Sequence, residues 1–441
     1  MIKKVSGWGR SLHSFTDLQV AEPSLGLPDY RNDRGVIPRG LGRSYGDSAG
    51  NTGGITLELS KFDGIHINTE SGIATLGSGV TIQKLEESSL LLGYFPFVVP
   101  GTANVTIGGA IASDIHGKSH HKVGSFSNHL TEMKLLTSDG LERRVFPIGE
   151  TSDLFWATVG GMGLTGIILE AKIRLRKVET SFVKVTESRS KNLDQLLATM
   201  LEFNQRFLYT VAWVDLSGKF LGRGIVSGAN HASVSDLNNQ MSKKRLLPEV
   251  KHNFKVPFPF KISFINNWAI LLFNNVWFYK PLGKKVQHIQ QYMHPLDKID
   301  NWNEVYGLNG FIQYQFVIPF EESNSLEMVL IKLRDSACGS FLTVLKSFGE
   351  NSNGFISFPV KGWTLAVDLP ASGANLSNVL RELDQIVMSA GGRIYLTKDS
   401  RLNSDHLATM YPNLEKWKRI KTEFDPSNLW QSDQGRRLKL C

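Results

Sequence analysis

The sequence predicts an α+β fold in two parts, because the glycine content and the order of helix-type and strand-type segments change once along the chain. Residues 35–175 contain most of the glycine-rich turns, which separate short β-type runs such as "GITLEL" (54–59) and "GIILEAKIRL" (166–175). After about residue 175, helix-type and strand-type segments alternate, which favours an antiparallel sheet backed by helices. A chain of 441 residues is also longer than one ordinary hydrophobic core requires.

The individual elements follow from hydrophobic spacing and from residues that start or stop helices. A helix is expected over 81–93 and another over 151–161, where Thr151 or Ser152 caps the start and two glycines end it. In the second part we expect helices at 193–207, 325–337 and 376–390, strands at 209–216, 311–319, 340–349 and 363–370, and a last helix at 414–424. The C-terminal segment with this last helix is suited to dock back on the first part.

Composition excludes several classes of protein. Hydrophobic residues make up 41% and charged residues 20% of the chain, as in globular rather than disordered proteins. Cys338 and Cys441 form neither a disulfide framework nor a CxxC metal motif, so we expect a reducing, cytoplasmic location. We find no secretory signal and no run of about 18 apolar residues, because four asparagines interrupt the most apolar stretch, 264–279.

The net charge of +8 suits an anionic partner. We expect no nucleic-acid partner, since zinc-finger, RNP-like and basic-helix patterns are missing. Segment 242–285 combines basic and aromatic residues, which favours either a contact with the inner face of an anionic membrane that admits a polyprenyl-phosphate tail, or an ordinary mobile loop. The residues in question are Lys243, Lys244, Arg245, Lys251, Phe254, Lys255, Phe258, Phe260 and Lys261.

One glycine motif matches the dinucleotide fingerprint by spacing alone. In "GGMGLTG" (160–166), Gly161, Gly163 and Gly166 stand at the required positions. The fingerprint needs a strand before it and a helix after it, so that a helix N-terminus meets the pyrophosphate. Here a helix-type segment precedes the glycines and a β-type segment follows them. We therefore reject a Rossmann fold.

Two other glycine-rich stretches predict a cofactor that carries a diphosphate. In the first, "PRGLGRSYGDSAGN" (38–51), the glycines let backbone N–H groups approach an anion, and Arg39 and Arg43 add positive charge. The second is "PGTANVTIGGAIASDIHGKSHH" (100–121). A cofactor held between two such loops explains both stretches, whereas a turn-rich connector explains only one of them.

The end of the second stretch, "DIHGKSHH" (114–121), offers a competing hypothesis, a metal site. No carboxylate or cysteine cluster completes a ligand set. His120 and His121 are adjacent, and neighbouring side chains on an extended segment point to opposite faces. We therefore expect no metal and interpret the stretch as part of the cofactor loop, with a His-cluster metal-binding protein as the alternative from another class.

Several motifs, taken together, carry a resemblance to a known family. They are "GWGR" (7–10), "RGLGRSYGD" (39–47), 100–121, "FWATVGGMGLTGII" (155–168), "QYQFVIP" (313–319), "LTKDSR" (396–401) and "SDQGRRLKL" (432–440). The chain resembles the FAD-linked oxidases of the vanillyl-alcohol oxidase and p-cresol methylhydroxylase fold, and among them the decaprenylphosphoryl-ribose 2-oxidases. The resemblance implies a two-domain FAD-binding type 2 (PCMH-like) fold, with an FAD-binding domain at 1–175, an antiparallel-sheet substrate domain at 176–392 and a returning segment at 393–441.

The resemblance also implies the site residues. Lys398, His116 and Tyr45 are the expected catalytic residues, and either Lys398 or His116 takes the proton. Lys118, Gln315 and Lys346 are expected to bind substrate. The residues expected to contact FAD are Arg39, Gly40, Leu41, Gly42, Arg43, Ser44, Tyr45, Gly46, Asp47, Gly101, Thr106, Ile107, Gly108, Gly109, Ser113, His116, Ile168 and Tyr395.

Some positions depart from the pattern of the family. Many members carry a histidine bonded to the flavin at the position of Asp47, and an aspartate cannot form that bond. We therefore predict non-covalent FAD, which acid or SDS denaturation would release. Ala366 replaces a cysteine, Thr364 an asparagine and Met293 a tyrosine, which bears on the choice of sugar rather than on FAD.

The resemblance implies FAD-dependent oxidation of a sugar alcohol, with transfer of a hydride to the flavin. The expected substrate is the 2-hydroxyl of a polyprenyl-phosphoryl ribose, and a short-chain reductase partner would complete an epimerisation in cell-wall arabinose synthesis. Within the same class the alternative is an oxidase of free alditols or aldonolactones. A flavin-binding module without catalysis is a third possibility.

Overall fold

The protein was analysed as a computed structural model, which describes residues 2–23, 32–216, 221–249, 254–255, 267–336, 340, 342–373 and 375–441. These residues form an α+β fold with three main sheets, which confirms the predicted fold class. None of the helices in those ranges combines the length and hydrophobicity that crossing a bilayer would require.

The first two sheets are built from the first 177 residues. A four-stranded sheet has the order β1-β2-β4-β3 and contains β1 (Ile2–Ser6), β2 (His13–Val20), β3 (Val36–Arg39) and β4 (Ile55–Glu58). Both β2 and β3 pair with β4 in parallel, which the sequence did not predict. A six-stranded antiparallel sheet contains β5 (Ile65–Asn68), β6 (Ile73–Gly77), β7 (Tyr94–Pro96), β8 (Leu130–Leu136), β9 (Glu142–Val145) and β10 (Ile167–Lys177).

The third sheet has eight strands in the order β15-β11-β13-β12-β18-β19-β17-β20, all antiparallel to their neighbours. It confirms the antiparallel sheet predicted for the second part. Its strands are β11 (Phe182–Ser190), β12 (Tyr209–Val214), β13 (Gly224–His231), β15 (Lys284–His288), β17 (Phe311–Pro319), β18 (Thr343–Phe348), β19 (Gly362–Pro370) and β20 (Arg393–Ile394). A short parallel pair joins β14 (Phe254–Lys255) to β16 (Ile299–Asp300).

The helices cover the sheets and connect their strands. They are α1 (Ile82–Leu91), α2 (Ile107–Ala112), α3 (His120–Val123), α4 (Ser152–Thr158), α5 (Leu193–Arg206), α6 (Asn239–Ser242), α7 (Asn267–Tyr279), α8 (Ile289–Met293), α9 (Ser323–Asp335), α10 (Leu376–Ser389), α11 (Ser404–Met410), α12 (Leu414–Phe424) and α13 (Asp433–Arg437). Thr151 stands at the N-cap position of α4, but its hydroxyl accepts a bond from the Phe146 N–H instead of capping the helix. The predicted start of the helix at Thr151 or Ser152 is confirmed, but the Thr151 side chain does not cap it.

The C-terminal segment packs against the first sheet and the first glycine loop. The backbone of Val36 exchanges hydrogen bonds with Leu429 and Gln431. Asp433 accepts bonds from the Thr52 N–H and hydroxyl at 3.0 and 2.8 Å. These contacts place the segment beside the loop that follows β3. The domain boundaries at 175/176 and 392/393 stay a prediction.

Candidate active site

One cavity of about 1060 Å³ lies between the glycine loops and the third sheet. Nearly all the residues predicted for the site line this cavity, although they come from distant parts of the chain. They are Arg39, Gly40, Leu41, Gly42, Arg43, Ser44, Tyr45, Gly101, Thr106, Gly108, Gly109, Ser113, His116, Lys118, Ile168, Gln315, Lys346, Tyr395 and Lys398.

Three predicted cofactor residues do not line the cavity. The Asp47 carboxylate turns towards α13 and accepts bonds from the Arg437 guanidinium at 2.7 and 3.0 Å. Gly46 packs so closely on the Asp399 carbonyl that a Cβ would lie 1.9 Å from it. Ile107 is fully buried in the hydrophobic core. The side chains of Asp47 and Ile107 and the close packing of Gly46 hold the loops in place, and a contact of these three residues with FAD stays a prediction.

The cavity wall formed by the glycine loops fits FAD. Close approach requires glycine at position 40, where a Cβ would lie 2.2 Å from the Thr106 hydroxyl oxygen. Four buried polar atoms on the wall have no hydrogen-bond partner among the described residues. They are Arg43 Nε, Ser44 Oγ, Ser78 Oγ and His116 Nδ1. Such atoms suit a cofactor that carries phosphate oxygens and a polar ring edge, because buried polar groups are ordinarily paired.

Three lysines, Lys118, Lys346 and Lys398, line the same cavity. Burial lowers the pKa of Lys398 and of Lys118 to about 7 each, and that of Lys346 to about 8. Lys346 further lowers the pKa of the other two, because like charges in a low dielectric repel. Lysines with pKa values in this range can exchange a proton near neutral pH.

Lys398 lies between an aromatic ring and a carboxylate. Its ammonium nitrogen is 3.6 Å from the centroid of the Tyr45 ring. Asp368, buried in β19, raises the pKa of Lys398, and burial raises the pKa of Asp368 itself to about 7. Gln313 donates a hydrogen bond of 2.6 Å to the Asp368 carboxylate. Both neighbours favour the charged lysine, whereas burial and Lys346 favour the neutral one.

A chain of hydrogen bonds fixes the protonation of His116. The Thr364 hydroxyl donates to the Phe316 carbonyl at 2.8 Å, so it accepts from the Gln315 amide nitrogen at 3.3 Å. The same amide nitrogen lies 2.9 Å from His116 Nε2 and can only donate to it. The proton of a neutral His116 is therefore on Nδ1. Burial lowers its pKa well below the usual value, so His116 is a weaker candidate base than Lys398.

The other histidines of the "DIHGKSHH" stretch have separate partners. His120 Nδ1 accepts a bond of 3.1 Å from the Gly349 N–H, and His121 Nε2 lies 3.0 Å from the Phe207 carbonyl. Burial lowers the pKa of His120 to about 3. Within the described ranges, no three histidine, cysteine or acidic side chains converge on a possible metal position. The geometry therefore does not favour the alternative of a His-cluster metal site.

Sequence reasoning missed the contacts that hold the loop after α8 over the cavity. His294 Nε2 lies 2.7 Å from the carboxylate of Glu86 on α1, and both side chains are buried. The Asp297 carboxylate accepts a bond of 2.7 Å from the Ala103 N–H. Lys118 donates to the Met293 carbonyl at 2.7 Å. No local pattern could have indicated these pairs, because their partners are 175–208 residues apart.

The sequence is similar to a family model and to several known proteins. Residues 30–146 match the model of the FAD binding domain family. Decaprenylphosphoryl-beta-D-ribose oxidase of Mycolicibacterium smegmatis is 38% identical, covering 99% of this chain and 98% of that protein. An uncharacterised protein of Streptomyces coelicolor is 33% identical over 82% of this chain and all of its own length. An uncharacterised oxidoreductase of Rhodococcoides fascians is 29% identical over 37% of this chain and 36% of its own length.

The hydrogen-bond chain predicts that Thr364 sets the tautomer of His116. Thr364→Val removes the acceptor that orients the Gln315 amide, so the amide can turn its oxygen towards His116 and draw the proton to Nε2. Nitrogen-15 NMR of the histidine rings should show Nδ1–H in the wild type and in Thr364→Ser, and a shift towards Nε2–H in Thr364→Val. The same tautomer in all three proteins would contradict the assignment.

Proposed function

The chain belongs to the decaprenylphosphoryl-beta-D-ribose oxidase family and is an FAD-dependent oxidoreductase, and from this we propose that it oxidises the 2-hydroxyl of a polyprenyl-phosphoryl ribose to a keto-sugar. The observation that carries the proposal is the position of Lys398 in the cavity that the FAD loops line, with its nitrogen 3.6 Å from the centroid of the Tyr45 ring. Burial there lowers the pKa of Lys398 to about 7. A short-chain reductase that reduces the keto group from the other face would complete an epimerisation.

In the proposed reaction, bound FAD supplies the acceptor for a hydride from the carbinol carbon. Neutral Lys398 takes the proton of the substrate hydroxyl, and Asp368 stabilises the ammonium that forms. The face of the Tyr45 ring also stabilises that charge. His116 keeps Nδ1–H as a donor towards the cavity, because Gln315 occupies its Nε2, and it can therefore orient a substrate oxygen.

Lys118 and Lys346 are suited to bind the phosphate of the proposed substrate. Their charges repel each other in the cavity, and this repulsion lowers the pKa of Lys118. A phosphate between them would favour the ammonium forms and release that repulsion. The Met293 carbonyl, 2.7 Å from Lys118 Nζ, fixes the position of one of the two charges.

The proposed peripheral membrane contact centres on α7. Its side chains Leu272, Val276 and Tyr279 are 68%, 66% and 69% exposed, although they are apolar or aromatic. The exposed Lys284 and Lys285 follow shortly after the helix in the chain. An apolar helix face next to lysines is typical of a surface that lies on an anionic bilayer. Of the residues that suggested this contact, Lys251, Phe258, Phe260 and Lys261, and the side chains of Phe254 and Lys255, lie outside the described part of the structure.

The substrate is tested by flavin bleaching under anaerobic conditions. We expect bleaching when a polyprenyl-phosphoryl ribose is added to the purified holoenzyme, and none with xylitol or an aldonolactone. Bleaching by the free alditol or lactone alone would indicate an oxidase of free alditols or aldonolactones and contradict the proposal.

The base is tested by the pH dependence of kcat/KM. Because the neutral form of Lys398 is required, the rate should rise with pH up to about 7 and then level off. Lys398→Arg should lower kcat/KM by about 10²–10⁴-fold, whereas Lys361→Arg, at an exposed lysine, should not. Asp368→Asn removes a charge that raises the pKa of Lys398, so the rise of kcat/KM should occur at a lower pH in this variant. If the rise occurs at the same pH, or if Lys398→Arg keeps full activity, Lys398 is not the base.

Membrane contact is tested by liposome flotation. The protein should float with anionic vesicles at low salt, and both high salt and neutral vesicles should weaken binding. Val276→Asp should reduce flotation, whereas Leu91→Asp, at a 56% exposed position of α1, should leave it unchanged. Equal flotation of the two variants would rule out α7 as the contact.

A further inference from the structure

The cavity continues past the three lysines into a space between the third sheet and α7. Apolar and aromatic side chains line most of this extension, which we call the tail groove, and the same part of the cavity also contains Ser227 and the ion pair of Glu187 with Lys280. The apolar and aromatic side chains are Val185, Val211, Trp213, Ile225, Ile270, Phe273 and Trp277. Nothing in the reaction at Lys398 requires such a lining, because the sugar and the phosphate are polar.

The register of the third sheet explains why the groove joins the reaction site. Successive pairings run from Gln315 to Ala366, Val344, Trp213 and Ile225, across five neighbouring strands. Side chains at paired positions share one face of a sheet, and neighbouring strands lie about 4.8 Å apart. This row of paired residues, the floor of the groove, extends about 19 Å from Gln315 and is apolar from Ala366 onward. Lys346 lies two residues from Val344 on the same face of β18, beside the start of the apolar row.

Polar contacts hold α7 over this floor. Asn274 donates a bond of 2.7 Å to the Asp215 carboxylate, and Arg223 donates one of 2.8 Å to the Asn275 side-chain oxygen. Arg189 donates to the Phe278 and Lys280 carbonyls at 2.7 and 2.9 Å. Two of the asparagines that interrupt the apolar stretch thus serve as anchors for the helix.

With α7 fixed in this way, its two sides face different surroundings. Ile270, Phe273 and Trp277 line the groove at helical spacing, with Phe273 and Trp277 44% and 40% exposed, whereas Leu272 and Val276 are 68% and 66% exposed. The groove therefore runs beneath the same helix whose outer face is the proposed membrane contact. A ligand in it would have its polar end at the lysines and an apolar chain along the helix.

We propose that the tail groove binds the first isoprene units of the prenyl chain of the substrate. The inference rests on the proposed function, because it assumes a lipid-linked sugar. Its support is the continuity of the apolar floor with Gln315 and Lys346 in one cavity, and the cationic end that matches a prenyl phosphate. The chain enters from the side of α7 and places the ribosyl phosphate at the lysines.

The test compares two substrates with the same ribosyl phosphate head, one with a single isoprene unit and one with a long polyprenyl tail. In the wild-type holoenzyme both should bleach the flavin, and the long tail should give a KM at least tenfold lower. Val211→Trp fills the groove, so it should raise the KM of the long-tail substrate far more than that of the short one and remove the long-tail advantage. Leu201→Trp, at an exposed position of α5, is the matched control.

The outcomes separate this inference from the proposed function. Bleaching by neither substrate would overturn the proposed function itself. Bleaching by both with equal KM, or a long-tail advantage that survives in Val211→Trp, would overturn the tail groove alone. If Val211→Trp does not fold, inhibition of the short-tail reaction by polyprenyl monophosphate decides instead. It should compete far better than inorganic phosphate, and equal potency of the two would reject the groove.

Discussion

Removal of three lysine ammonium groups from water is the constraint on which the site depends. Lys118, Lys346 and Lys398 line one cavity. Asp368 raises the pKa of Lys398, and Asp297 and Glu86 raise that of Lys118, but burial still lowers the pKa of all three lysines, so their charges are only partly compensated. Burial lowers the pKa of a lysine whose charge is not fully balanced by carboxylates, so that its neutral form is populated at pH 7. The same imbalance makes the cavity attract a phosphate. A proton acceptor and an anion site thus arise from one arrangement of charges.

The fold maintains this arrangement through contacts that are distant in sequence. The eight-stranded sheet places Gln315, Lys346 and Asp368 on three neighbouring strands. The pair of Glu86 with His294 holds the loop that fixes Lys118. Arg437 ties Asp47 and Asp399 to the C-terminal helix at 2.7 and 2.9 Å, which fixes both the first glycine loop and the turn after Lys398. Each functional side chain is therefore held by an element far from it in the chain.

The sequence predicted the cofactor loops and the second sheet better than the surroundings of the reacting groups. Gly40, Gly108 and His116 were found because their motifs are local, and the bounds of strand 311–319 were predicted correctly because aromatic and β-branched residues make up most of it. Asp47 was assigned to the cofactor although it faces Arg437, since a motif does not reveal which way a side chain points. Sequence reasoning missed Asp368 as the carboxylate that acts on Lys398, and Thr364 as the residue that orients Gln315 towards His116. It missed them because strand register is set by tertiary pairing.

The most direct test of this account is the pKa of Lys398 itself, separate from any activity. Carbon-13-labelled lysine in the FAD-loaded protein can be titrated by NMR, and Lys398→Arg identifies the resonance. The account predicts a pKa of about 7, whereas titration near the usual value of 10.5 would contradict it.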